Sequence, residues 1–139
     1  MPQFCSGQSG GPCPDTRSTI IVFRPVGPRH RGKAAGQRYV GTTETDVSAE
    51  GLAISPDGRL VATMNMRGTV LLPASSRYER EASVSLLTLD PATGVLAKVA
   101  DYPFEGELPE CGAFDLTGDH FWATVFQDMT AQVERLARA

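Results

Sequence analysis

An all-β fold made of repeated four-stranded units is predicted by three features of the chain. One segment recurs at an offset of 60 residues. Short apolar, β-branched runs alternate with tight-turn sequences. The 14 Gly and 10 Pro among 139 residues exceed ordinary usage, as a chain of strands and turns requires.

Taken in order, Ser18-Thr19-Ile20-Ile21-Val22-Phe23 is β-branched and too short for a helix, so a strand is expected at 18–23. A weaker strand follows at 38–43, around Tyr39-Val40. Strands are then expected at 52–56 and 59–65, joined by Ser55-Pro56-Asp57-Gly58. That tetrad puts Pro where its fixed φ suits a turn and Gly where a positive φ is cheap. Two more are expected at 83–89 and 95–100, across Asp90-Pro91-Ala92-Thr93-Gly94. The last pair, 111–115 and 121–126, repeats the 52–65 pattern: Glu50 and Glu110, Ala53 and Ala113, and Gly58 and Gly118 are identical, while Ile54 and Phe114 are apolar equivalents.

Runs 59–65 and 83–89 are almost continuously apolar, the pattern of strands buried on both faces. Four antiparallel strands at a fixed period are the signature of a β-propeller blade. A small β-sandwich is the alternative, and it leaves the repeat unexplained. Three segments are expected: a flexible stretch at 1–16, blades over 17–127, and a helical or disordered tail at 128–139. Met129, Val133 and Leu136 of that tail have helical spacing.

Composition narrows the function classes. Thirteen Lys and Arg against sixteen Asp and Glu give a net charge of −3, which argues against a nucleic-acid binder working by bulk positive charge. No apolar run is long enough to span a membrane. Residues 1–16 show neither a basic start nor an apolar stretch. Cys5, Cys13 and Cys111 form neither a disulfide framework nor a metal pattern. No cofactor and no metal are expected.

Glu50 and Glu110 are the leading candidate site residues. They occupy equivalent places ahead of their strands, where two carboxylates suit a cation or acid–base work; capping of a backbone amide is the competing role. Asn65 and Arg67 open a long connection, 66–82, that also holds Arg77, Tyr78, Glu79 and Arg80; loops of that length are often functional. Arg24, Arg29, Arg31, Lys33 and Arg38 form a basic connection suited to an anion or simply to solvent. Gly7-Gln8-Ser9-Gly10-Gly11 matches a nucleophile motif but lacks its strand–helix context and is read as loop. His30 and His120 have no second ligand at useful spacing. Trp122 is expected in the core and Cys111 as a small buried thiol.

The run Glu50-Gly51-Leu52-Ala53-Ile54-Ser55-Pro56-Asp57-Gly58-Arg59-Leu60-Val61-Ala62, followed by Ser83-Val84-Ser85-Leu86-Leu87-Thr88-Leu89-Asp90-Pro91-Ala92-Thr93-Gly94, resembles the bacterial lactonase-like β-propeller repeat. That group includes 6-phosphogluconolactonase-type and surface-layer-type seven-bladed propellers. The likeness covers about 18–127. It implies a propeller and, when the ring is complete, a hydrolase acting on a sugar lactone. The family often leads its first strand with Pro-Arg-His; here the triplets are Ala49-Glu50-Gly51 and Pro109-Glu110-Cys111. The chain holds about two blades: a half, a whole and a half. Propellers close with about four to eight, so a fragment of a larger propeller, or self-association of several copies, is expected. A non-catalytic binding scaffold for a protein partner, and a truncated product without independent function, are the other expectations.

Overall fold

The computed structural model describes residues 17–30, 33–125 and 131–134. The expected flexible stretch 1–16 with its Gly7–Gly11 motif, Cys5 and Cys13, and also Arg31, Phe126, Met129 and Leu136, lie outside the described residues. Among the described residues the structure is all-β, with nine strands: β1 Arg17–His30, β2 Lys33–Val47, β3 Ala49–Ile54, β4 Leu60–Asn65, β5 Glu81–Leu89, β6 Leu96–Glu105, β7 Pro109–Phe114, β8 Phe121–Val125 and β9 Ala131–Glu134. They form three open antiparallel sheets in the orders β1-β2, β3-β4-β5-β6 and β7-β8-β9. No helix among the described residues is long and apolar enough to cross a membrane.

The offset of 60 is reproduced in the hydrogen-bond register. Ala49 pairs Asn65, Leu52 pairs Thr63, Ala53 pairs Ala62 and Ile54 pairs Val61. Pro109 pairs Val125, Gly112 pairs Ala123, Ala113 pairs Trp122 and Phe114 pairs Phe121. The turns match too. Gly58 donates its N–H to the Ser55 carbonyl and Gly118 to that of Asp115, with φ of 70° and 77°. In the first turn Ser55 Oγ donates to Asp57 at 2.6 Å and accepts from the Leu60 N–H at 2.9 Å. In the hairpin after β5, Thr93 Oγ1 and then the Ala92 N–H donate to the Asp90 carboxylate, which holds it below its ordinary pKa.

β4 and β5 are buried on both sides, as continuous apolar runs demand. One face of the middle sheet carries Ala62, Met64, Val84 and Leu86, packed with Phe104 against Phe121, Ala123 and Val125 of the third sheet. The edge-to-face pair Phe114–Phe121, centroids 5.0 Å apart, closes one end of this core. The opposite face meets β2 through polar groups: the Asp46 N–H donates to Ser85 Oγ at 2.9 Å, and Thr43 Oγ1 donates to the Leu96 carbonyl at 3.0 Å. Leu52 and Ile54 remain exposed on that face, because the first sheet has only two strands to lay over it.

Four expectations are corrected. The basic 24–38 connection is hairpin, not loop: Arg24 pairs Arg38 and Val26 pairs Gly36. Pro25 and Pro28 are tolerated because the ladder is a bulged two-stranded ribbon with a register shift between Val26 and Arg29. Part of the expected helical or disordered tail is instead β9, which supplies β8 with an antiparallel neighbour. Trp122 is 46% exposed rather than core. Strand alternation turns Phe121, Ala123 and Val125 toward the middle sheet and Trp122 away from it. Cys111 is exposed, not buried, on a strand whose buried residue is Pro109.

Candidate functional site

Each first strand of the repeat begins with the same backbone device. Ser48 and Leu108, the residues just before β3 and β7, have φ of 57° and 51°. That left-handed conformation is costly for any residue but Gly. Register shifts follow at once, between Ala49 and Leu52 and between Pro109 and Gly112. Glu50 and Glu110 sit inside these bulges, both exposed. Bulges re-aim side chains and recur beside functional sites. The two strands also touch: a Cβ on Gly51 would stand 2.5 Å from the Glu110 carbonyl oxygen. Glu50 and Glu110 thus hold corresponding places on neighbouring first strands, as the repeat predicts. Neither carboxylate has a hydrogen bond or ion pair to a described residue, so the backbone-capping role is not seen.

Asn65 is used differently. It is fully buried at the end of β4. Its Nδ2 donates to Ser85 Oγ at 3.0 Å and to Ser83 Oγ at 3.1 Å, while Oδ1 accepts from Thr63 Oγ1 at 3.2 Å. Ser83 passes a bond to Asp46 at 2.8 Å, and Ser85 passes one to Asp101 at 2.6 Å. Lys98 closes that end, 2.6 Å from Asp101. No buried side-chain polar atom among the described residues lacks a partner. The seam between first and middle sheets is therefore complete in itself, with no donor aimed at a ligand.

Arg67, also at positive φ (52°), opens the 3-10 turn Arg67–Val70. Its guanidinium lies 2.7 Å from Glu79, 3.6 Å from Asp46 and 3.9 Å from Glu81. It ties the long connection back onto β2 and β5. Tyr78 donates to the Glu107 carboxylate. That hydrogen bond, then burial, then the Glu107 charge raise the Tyr78 phenol above its usual pKa. Leu108 N–H donates to Thr69 Oγ1 at 3.2 Å. The 66–80 connection is thus pinned rather than free.

Sequence reasoning missed one pairing. His120 Nδ1 lies 3.0 Å from Asp115 Oδ2 across the last turn, where Thr117 Oγ1 also donates to Asp115 at 2.9 Å. Burial works to raise the Asp115 pKa. Hydrogen bonds from the His120 side chain, Thr117 and the turn backbone outweigh it and hold the carboxyl well below the usual range. The signal was available: Asp115 and His120 occupy the places of Ser55 and Leu60, which also bond across their turn. Among the described residues no cluster of three or more His, Cys, Asp or Glu has metal-holding geometry.

What remains for chemistry is a pair of exposed carboxylates on adjacent first strands, bonded to no described residue. Asn65, which pairs Ala49 beside Glu50, and Arg67 are instead engaged in internal bonds. No protein-family model matches the chain, and no curated protein does.

Proposed function

We propose that the chain is a segment of a lactonase-like β-propeller, with its three sheets as successive blades, and that it acts as a binding scaffold. The ligand face is the end of the sheets where Glu50 and Glu110 lie. One observation carries this reading: the same left-handed residue, bulge and exposed glutamate, bonded to no described residue, occur at the start of both first strands. A strained device repeated around an otherwise satisfied polar structure supports a ligand role for the glutamates. Paired carboxylates accept hydrogen bonds from a polyhydroxylated small molecule such as a sugar lactone. Titrating the isotope-labelled chain with a sugar lactone should shift the amide signals around Glu50 and Glu110, and Glu50→Gln with Glu110→Gln should abolish the shifts. No response at these positions would sink the reading.

Hydrolysis of the lactone is the second reading. It rests on the resemblance of 50–62 and 83–94 to the lactonase-like repeat. The scaffold reading is preferred because Asn65 and Arg67, the other candidate site residues, are consumed in internal bonds. Turnover of the bound lactone would favour the hydrolase; binding without turnover would favour the scaffold.

A further inference from the structure

The two end sheets are complementary parts of the middle one. β7 and β8 match β3 and β4 pair for pair. β1 and β2 match β5 and β6, each being an apolar strand, an X-Pro step and an antiparallel return. In the middle sheet β4 bonds to β5 in an unbroken register from Leu60–Thr88 to Asn65–Ser83. Among the described residues no strand stands on the edge of β1 where β4 would. In the third sheet that place beside β8 is held by β9, Ala131–Glu134.

β9 is a poor match for the place. It sets Glu134 opposite Phe121. The middle sheet sets Leu87 opposite Val61, the repeat equivalent of Phe121. Aligning Phe23-Arg24-Pro25 with Leu89-Asp90-Pro91 makes Ile21 of β1 the counterpart of Leu87.

We propose that β8 of one copy takes β1 of a second copy in place of β9. β7 and β8 of one chain, with β1 and β2 of the next, then form a four-stranded sheet in the order of the middle sheet. This is strand addition to a free edge, and a heterologous contact, since the two surfaces differ.

The new sheet accounts for the exposed apolar groups. Ile21, 54% exposed, comes into register with Phe121. Trp122 is carried over Leu52 and Ile54 of the second copy, as Ala62 of the middle sheet packs toward the Phe114–Phe121 face. Charge favours the same docking. β1 and β2 carry Arg17, Arg24, Arg29, Lys33 and Arg38 against Glu44 and Asp46. β7, β8, their turn and β9 carry Glu110, Asp115, Asp119 and Glu134, with no Lys or Arg. Opposite charge steers β1 and β2 of one copy to β7 and β8 of the other. The docking extends a pairing already present between β4 and β5 and does not depend on the ligand of Glu50 and Glu110.

Sedimentation of the full chain over a range of concentrations tests it with two variants of opposite sign. The wild type should gain mass with concentration. Ile21→Glu, at an exposed position that sets a charge against Phe121, should weaken association about tenfold or more. Val133→Pro, which breaks the β9 ladder and frees the edge of β8, should strengthen it by a similar factor. A wild type that stays monomeric, an Ile21→Glu chain that associates like the wild type, or a Val133→Pro chain that associates no better would each overturn the proposal.

Discussion

Gly51 stands directly on the backbone of Glu110: a Cβ added there would lie 2.5 Å from the Glu110 carbonyl oxygen and 3.4 Å from Cys111 Cα. The obstacle is main chain, which cannot rotate aside. Gly51→Ala is therefore expected to force β3 and β7 apart and cost about 1–3 kcal/mol. A urea midpoint equal to the wild type's would show that the first strands are not in contact.

The Asn65 network predicts a loss of comparable size. Asn65→Ala removes the amide that joins Ser83, Ser85 and Thr63 and leaves buried hydroxyls short of partners. The expected loss is about 1–3 kcal/mol. Chemical denaturation measures it, and a loss below about 0.5 kcal/mol would mean that the seam is not sealed.

Ser48 offers a stabilising substitution. It is exposed, and at φ 57° it sits where Gly is at ease. Ser48→Gly relieves about 1–2 kcal/mol of left-handed strain but adds about 0.5–1 kcal/mol of chain entropy loss. A net gain of about 0.5–1 kcal/mol is expected. A lower thermal midpoint would contradict the strained conformation.

Asp115 predicts an acid limb. Its folded carboxyl lies below the unfolded value of 3.8. A depressed carboxylate contributes stability that is present above about pH 4 and lost as pH falls through the folded value. Asp115→Asn should thus be less stable at neutral pH and lose less on acidification below about pH 4. Urea midpoints at neutral and acid pH compare the two chains; parallel pH profiles would refute the link.

Glu50→Gln and Glu110→Gln should leave stability within about 0.5 kcal/mol of wild type, as exposed side chains without a partner among the described residues do. Differential scanning calorimetry checks this. A loss of several degrees in either variant would return the glutamates to a capping role.

Much of the fold was legible because turn chemistry and strand burial are local. Ser55-Pro56-Asp57-Gly58 and Asp90-Pro91-Ala92-Thr93-Gly94 marked two hairpins that the hydrogen bonds reproduce. The apolar runs in β4 and β5 marked strands covered on both sides. Glu50 and Glu110 were legible as equivalents, because the repeat places them. The 24–38 hairpin was not: the stretch read as a connection, while bulged cross-strand pairing carries both strands through it.

By itself the sequence determined the all-β class, the offset of 60 and the pairs of strands that tight turns join, since each depends on neighbours a few residues apart. The tertiary structure decided the rest. Trp122 is exposed because only stacking shows which side of β8 has a neighbour. Asn65 is buried and bonded because Ser83 and Ser85 arrive from β5 and Asp46 from the first sheet. β9 is a strand because β8 offers an unpaired edge, and that pull outweighs helical spacing in an isolated segment. Burial, hydrogen-bond closure and edge pairing join residues far apart in the chain, so no local pattern encodes them.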